Sequence, residues 1–163
     1  MQIIIEKMYL SEQTPPGERA RCWELLLDAD SCRPNVDDYL RRGVLFVARQ
    51  STEGGGEIVG LYVVLATRPR TIEIMNVAVT PELQGQGIGK QLVQHALQTA
   101  RSMKAKTVEI GTGNSGVGQL ALYQKAGFRI TGIDRDFFTR YYDEPLYENG
   151  IQVRDMIRLS LDL

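Results

Sequence analysis

The sequence predicts an α/β fold in which a mixed sheet carries helices on both faces. Short runs of β-branched and apolar residues alternate with segments in which apolar residues recur at helical spacing. A glycine-rich segment, residues 84–90, joins one predicted strand to one predicted helix. The elements follow in the order strand, two helices, three strands, helix, strand, helix and two strands. We therefore expect seven strands in a single domain that spans residues 1–163.

The first half of the chain is predicted to form four strands and two helices. The strands are assigned to residues 3–8, 44–49, 57–67 and 71–79, and the helices to residues 18–27 and 36–42. Asn35 is expected to cap the second helix and Gly43 to end it. The glycine-rich turn at residues 52–56 predicts a hairpin between the two strands that flank it.

The second half is predicted to alternate helices and strands. Helices are assigned to residues 88–103 and 117–126, and strands to residues 107–110, 128–133 and 151–161. Gly127 is expected in the left-handed conformation that ends a helix. His95, the only histidine, falls among the polar residues of its helix, so we expect it on the surface and facing away from any cleft.

Composition and charge exclude several classes of function. Nineteen Lys and Arg against twenty Asp and Glu give a net charge of -1, so the basic excess of a nucleic-acid-binding protein is missing. The N-terminus lacks a signal-peptide pattern, and no segment is long and apolar enough to span a membrane, which predicts a cytoplasmic protein. Cys22 and Cys32 lack the close spacing of metal or redox sites and are expected to be reduced thiols.

The glycine-rich segment, Gln84-Gly85-Gln86-Gly87-Ile88-Gly89-Lys90, predicts a site for a phosphate group. Glycines allow close approach of the backbone, and the free amides at a helix N-terminus attract an anion. Two known nucleotide loops fail by their spacing. A P-loop needs a glycine where Gln84 stands, and a dinucleotide-binding loop needs a third glycine where Lys90 or Leu92 stands.

The segment instead matches the pattern Q/R-x-x-G-x-G/A through Gln84, Gly87 and Gly89. Residues 76–81 before it (NVAVTP), Asn114 after it and residues 122–128 (LYQKAGF) extend the match. In this combination the chain resembles the GNAT acetyltransferase superfamily. The resemblance implies the GNAT fold, with a mixed, mostly antiparallel central sheet of about seven strands and helices on both faces. It also implies an N-acetyltransferase that uses acetyl-CoA as co-substrate, without a metal, and acetylates a primary amine.

The resemblance implies a role for each matching residue. Tyr123 is the general acid that protonates the departing thiolate, and Glu73 is the base, with Glu109 as the second candidate. Backbone amides near Val77 polarise the thioester carbonyl, and Asn114 bonds the pantetheine arm. The cofactor-binding positions are Val77, Ala78, Val79, Gln84, Gly85, Gln86, Gly87, Ile88, Gly89, Lys90, Asn114 and Tyr123. Alternatives stay open: Lys90 as a solvated lysine, Tyr123 as a core residue and Glu73 as a surface carboxylate.

The acceptor side is predicted at residues 134–150, a segment too long for a tight turn. It places acidic side chains beside Phe and Tyr rings, a combination that suits a cationic amine. The same aromatic residues also suit packing onto the sheet or a homodimer interface. Two other functions stay open. One is a non-catalytic domain that senses acyl-CoA, and the other is an acetyltransferase for protein amines, which needs an open groove at this segment.

Overall fold

The computed structural model describes every residue, 1–163, and has the predicted α/β architecture. The strands are β1 (Ile3–Met8), β2 (Val44–Thr52), β3 (Gly55–Arg68), β4 (Thr71–Val79), β5 (Thr107–Gly113), β6 (Arg129–Asp134), β7 (Leu146–Glu148), β8 (Ile151–Val153) and β9 (Met156–Asp162). The helices are α1 (Pro16–Ala29), α2 (Arg33–Arg42), α3 (Ile88–Ser102), α4 (Val117–Lys125) and the short α5 (Phe137–Tyr141). None of these helices is both long and apolar enough to cross a membrane.

Seven strands form one sheet in the order β1-β2-β3-β4-β5-β9-β6, while β7 and β8 form a separate hairpin. All neighbours in the large sheet are antiparallel except β4 and β5, which are parallel. A parallel pair needs a crossover, and α3 lies in the connection between these two strands. The expected mixed, mostly antiparallel sheet of seven strands is therefore confirmed.

The sheet separates two apolar cores. On one face, α3 and α4 cover a cluster of 17 buried residues. The buried positions of α3 recur every three to four residues: Ile88, Leu92, Val93, Ala96, Leu97 and Ala100. On the other face, α1 and α2 cover a cluster of 12 buried residues. Full burial of one Leu or Ile side chain contributes about 1.5–3 kcal/mol, so these two stripes hold the helices on the sheet.

A β-bulge in β4 changes which face its side chains reach. Ile74 and Asn76 pair with consecutive residues of β3, so Met75 between them has no partner of its own. Ile74 belongs to the core under α3 and α4. Because of the bulge, Asn76 points to the opposite face, where its Nδ2 donates a hydrogen bond to the Leu26 carbonyl of α1 at 3.0 Å. Bulges bend a strand and are common beside active sites.

The structure corrects several local predictions. Helix α2 begins at Arg33 rather than after an Asn35 cap, and no side chain caps it. A proline in the first turn explains this start, since the amide hydrogen that proline lacks has no partner in a helix there. Residues 151–161 form two strands, β8 and β9, instead of one. Residues 134–150 contain α5 and β7.

The expectation of a solvent-facing His95 is also corrected. The imidazole is half-buried and packs against the rings of Phe46 and Tyr62, with centroids 5.4 and 5.9 Å away. The Tyr62 hydroxyl lies 2.8 Å from His95 Nδ1. Burial lowers the pKa of His95, so the ring is held neutral more readily than a free histidine. Helix periodicity places His95 among the polar residues of α3. In the structure, however, side chains of the sheet cover its ring.

Candidate functional site

A gap opens between β4 and β5 in the middle of the sheet. Their parallel pairing ends at Ile74 and Ile110, although β4 continues to Val79 and β5 to Gly113. The two strands diverge from the bulge of β4 onward. The backbone groups of residues 75–79 that face β5 have no strand partner there, so they form an open strand edge inside the protein.

The glycine turn that follows β4 leads into α3. Gly85 and Gly87 have φ values of 76° and 86°, in the left-handed region that favours glycine. Gly87 is the N-cap of α3, and no side chain caps this end. Gln91 is the first residue of this helix whose amide donates to a carbonyl of the turn, that of Gly87, at 3.1 Å. The amides that precede it are therefore free to bind an anion.

Side-chain contacts fix this turn against the sheet and against α4. Gln84 Nε2 donates to the Val79 carbonyl at 3.1 Å. A Cβ atom at Gly89 would stand 3.4 Å from the Leu122 side chain of α4, an ordinary contact distance, so the start of α3 lies against α4. The Ile88 side chain is buried in the core, which leaves only its backbone amide for a ligand. Gln86 and Lys90 are exposed, so both side chains are accessible to solvent or to a ligand.

A cavity of about 510 Å³ lies at the gap. Its wall is formed by residues 74–79 of β4, residues 110–113 of β5, the C-terminal end of α1, part of α4 and several residues between 138 and 156. Three lining side chains are carboxylates, namely Asp28, Asp30 and Glu148, and none is Lys or Arg. Phe138, Tyr142 and Tyr147 add aromatic surface. The cavity is therefore negatively charged and partly aromatic.

Tyr123 of α4 lies in this wall. Its side chain is 5% exposed and packs edge-on against Phe128, with the ring centroids 6.2 Å apart. Burial, assisted by the negative charge of Glu148, raises the pKa of the Tyr123 hydroxyl to about 12. The hydroxyl therefore keeps its proton at neutral pH. Tyr123 is a core residue and a cavity residue at once, so the two interpretations of it do not exclude each other.

The side-chain amide of Asn114 is engaged within the chain. Its Nδ2 donates to the Gln152 carbonyl at 3.1 Å, and its Oδ1 accepts from the backbone amides of Arg154 and Asp155 at 2.8 and 3.1 Å. These bonds tie the end of β5 to β8 and to the connection between β8 and β9. The observed role of Asn114 is structural, and its contact with a cofactor stays a prediction.

The two carboxylates predicted as bases are register partners on β4 and β5, close to the point where the strands diverge. Glu73 Oε1 accepts a hydrogen bond from Arg158 Nη1 at 2.5 Å, and Glu109 is ion-paired with Arg68. Neither Glu73 nor Glu109 lines the cavity. Both carboxylates are engaged by arginines, so either one reaches the cavity only through an intervening group.

A hydrogen-bond network on the α1 side of the cavity is absent from the sequence-based predictions. The hydroxyls of Tyr142 and Tyr39 donate to the two oxygens of Asp30, at 2.7 and 3.3 Å. The Tyr39 hydroxyl also accepts a hydrogen bond from Asn76 Nδ2 at 2.9 Å. Burial raises the pKa of both tyrosines, so both stay protonated donors. These four residues lie on four separate parts of the chain without regular spacing, so no sequence pattern could have found them.

Most of the chain is similar to known acetyltransferases. Residues 5–128 match the Acetyltransferase (GNAT) family. The chain belongs to this family. It is 55% identical over 141 residues to the uncharacterized N-acetyltransferase YvbK of Bacillus subtilis (strain 168), a match that covers 86% of this chain and 88% of that protein.

Two crystal structures of GNAT relatives are similar over nearly the whole chain. An acetyltransferase of Bacillus subtilis in complex with CoA is 50% identical, with a TM-score of 0.87 and 99% of both chains covered. A GNAT acetyltransferase of Elizabethkingia anophelis with acetyl-CoA bound is 42% identical, with a TM-score of 0.88, covering 99% of this chain and 98% of that one. The GNAT chain described here is accordingly an acetyl-CoA-dependent N-acyltransferase. It contains no group of three or more His, Cys, Asp or Glu side chains placed to hold a metal ion.

Proposed function

We propose that this GNAT enzyme transfers the acetyl group of acetyl-CoA to a primary amine of a small, positively charged molecule. The observation that carries the proposal is the lining of the cavity, which combines three carboxylates with aromatic rings and has no basic side chain. Carboxylates and aromatic faces both attract a cation. A cationic amine is therefore the acceptor that this wall favours.

The open strand edge and the glycine turn suit two different parts of acetyl-CoA. The backbone of Val77 and Val79, on the side away from β3, offers hydrogen-bonding groups to the amides of the pantetheine arm, as an added strand would use them. Ala78 between them pairs with Leu61 of β3. The free amides between residues 85 and 90 attract the negatively charged pyrophosphate. Both features lie at the C-terminal end of β4, so one elongated molecule can use them together.

In the proposed reaction, residues on both faces of the sheet handle protons. Acetyl-CoA supplies the acetyl group as a thioester. The neutral acceptor nitrogen forms a bond to the carbonyl carbon as the carbon–sulfur bond breaks. Tyr123 gives its hydroxyl proton to the departing sulfur, and Glu73 receives the proton of the acceptor nitrogen through water, because its carboxylate does not reach the cavity directly.

A protein acceptor is less compatible with this site. A polypeptide needs an open groove, whereas the contact between Tyr142 and Asp30 bridges the segment of residues 134–150 to the end of α1. A domain that binds acyl-CoA without turnover is the other alternative, and it shares the cofactor site but not the acceptor chemistry. The homodimer and the cytoplasmic location stay predictions.

The proposal predicts micromolar binding of acetyl-CoA together with amine-dependent release of free CoA thiol. Titration calorimetry measures the binding, and a thiol-reactive dye measures turnover with diamines, aminoglycosides, amino acids and lysine peptides. We expect release with small cationic amines and little with the peptides. Tight binding with no release for any amine would instead establish the acyl-CoA sensor. No binding at all would contradict the assignment of the glycine turn and the strand edge.

The substitution Glu73→Gln tests the base. At pH 7 we expect kcat/KM to fall about tenfold, since a water-mediated base contributes less than a direct one. The defect should shrink toward pH 10, because a primary amine with a pKa near 10 then loses its proton without help. The measurement is the pH profile of kcat/KM for both proteins with the same amine. Parallel profiles would mean that Glu73 only forms the ion pair with Arg158.

A further inference from the structure

Asp30 presents a fixed negative charge to the cavity. A carboxylate can accept about four hydrogen bonds. Three donors already occupy this one: the hydroxyls of Tyr142 and Tyr39 at 2.7 and 3.3 Å, and the backbone amide of Cys32 at 3.1 Å. The donors hold the carboxylate from both oxygens, and Asp30 still lines the cavity. One acceptor position is therefore left for a ligand.

Asn76 supplies an independent sign that a donor is missing in the same wall. Its side chain is 5% exposed, it lines the cavity, and its Oδ1 has no hydrogen-bond partner. The orientation of this amide is fixed, because its Nδ2 donates to the Leu26 carbonyl, which can only accept. A buried carbonyl oxygen without a donor is unfavourable, so the group that it lacks is an N–H or O–H donor. Asn76 and Asp30 are bonded to the same Tyr39 hydroxyl, so this unpartnered oxygen belongs to the network that holds the Asp30 carboxylate.

Asp30 and Tyr123 lie on opposite faces of the sheet. Asp30 follows α1, which covers one core, whereas Tyr123 belongs to the core under α3 and α4. The acceptor nitrogen that reacts must be near the thioester, on the Tyr123 side, and it must be uncharged when it attacks. A fixed carboxylate across the cavity is better suited to a charge that persists throughout the reaction.

We propose that Asp30 binds a second, non-reacting positive charge of the acceptor, so that the preferred acceptors are diamines and related molecules with two cationic nitrogens. This inference rests on the proposed amine acetylation. Asp30 is the binding residue. Tyr39, Tyr142 and Asn76 are positioning residues, because they act on the acceptor by fixing the Asp30 carboxylate.

The test compares matched acceptors that differ by one charged group: putrescine with butylamine, and cadaverine with pentylamine. With acetyl-CoA saturating, the wild-type enzyme should favour the better diamine over its monoamine by about tenfold in kcat/KM, the range of a well-placed ion pair. Asp30→Asn should remove this preference by raising KM for the diamine. It should raise KM for the diamine more than KM for the monoamine, so the ratio of the two kcat/KM values is the readout.

Three further variants separate charge, orientation and folding. Asp30→Glu keeps the charge and should retain part of the diamine preference. Tyr142→Phe keeps Asp30 but removes one hydroxyl that orients it, so it should lose part of the preference. Asp38→Asn removes a negative charge from the exposed surface of α2, where Asp38 is paired with Arg42, and should leave the preference intact. Melting temperatures of all variants report on folding.

Calorimetry with putrescine in the presence of CoA separates failure of this inference from failure of the proposed function. Turnover with equal kcat/KM for diamines and monoamines would overturn the role of Asp30 and leave amine acetylation standing. A fall of kcat for both acceptor types in Asp30→Asn would also overturn the proposed role of Asp30 and leave amine acetylation standing. Asp30 would then be part of the proton transfer. Putrescine binding that depends on Asp30 without turnover would support the Asp30 site and overturn the proposed function. Neither binding nor turnover would overturn both.

Discussion

Tyr123→Phe is expected to lower kcat by about 100- to 1,000-fold while the Kd for acetyl-CoA changes less than about threefold. A positioned general acid contributes about 10²–10⁴-fold, and this variant removes only the proton donor. The ring keeps its edge-on contact with Phe128, so the core around it stays packed. Steady-state thiol release gives kcat, and calorimetry gives the Kd of the same preparations.

Tyr9→Phe is the matched control for this variant. It makes the same chemical change at a tyrosine that is 77% exposed, beyond the end of β1, and it should leave kcat unchanged. A value of kcat in Tyr123→Phe within about threefold of wild type would show that another group protonates the sulfur, because loss of a true general acid costs far more. Tyr123 would then be only a core residue.

The pH dependence of kcat gives a second readout of Tyr123. Burial first, and the charge of Glu148 second, raise the pKa of its hydroxyl to about 12. Since the folded-state pKa is raised, the proton needed for transfer is present at every pH well below 12. We therefore expect no loss of kcat from deprotonation of this tyrosine between about pH 8 and 10.5. A decline of wild-type kcat centred near pH 10 would identify a more exposed acid.

Local sequence patterns predicted the glycine turn and the strand and helix on either side of it. The glycines at positions 85 and 87 adopt the left-handed conformations that only glycine tolerates well, and the apolar spacing after Ile88 defines α3. The strand that ends at Val79 agrees with its prediction at both ends. Each of these features depends on residues that are close in sequence, so the periodicity and the turn chemistry contain the information.

No local sequence pattern predicts the bulge at Met75. Met75 is an ordinary apolar residue in a strand, and the bulge follows from how β4 pairs with β3. Its effect is large, since it turns Asn76 away from the side expected from strand alternation. The contact between Asp30 and Tyr142 joins residues 112 positions apart, which no short-range pattern encodes.

The hydrogen-bond partners of Asn114 within the chain lie outside what its motif match predicts. The residue has the expected identity and lies at the end of β5, yet its amide bonds the chain near residues 152–155. A motif fixes the type of a residue and its approximate place, whereas the partners of a side chain depend on what folds next to it. The same reasoning applies to Glu73, which lies on the predicted strand but pairs with Arg158 of β9.

Gly87→Val is expected to weaken acetyl-CoA binding by about 30-fold. Gly87 has a φ of 86° at the N-cap of α3, and a β-branched residue at a left-handed position costs about 1–2 kcal/mol or more. The variant relieves this strain by rotating to a negative φ, which turns the amides of the following residues away from the anion. Binding must then restore the strained conformation, and about 2 kcal/mol corresponds to about 30-fold in Kd.

Gly54→Val is the control that separates strain from binding. Gly54 also has a positive φ, 98°, with open space around its Cβ position, but it lies in the hairpin turn between β2 and β3. Both variants should lower the melting temperature, because both force a branched side chain into the left-handed region. Only Gly87→Val should raise the Kd for acetyl-CoA. If calorimetry gives equal Kd values for both variants and the wild type, the pyrophosphate does not bind the amides of this turn, and the charge of Lys90 becomes the next group to test.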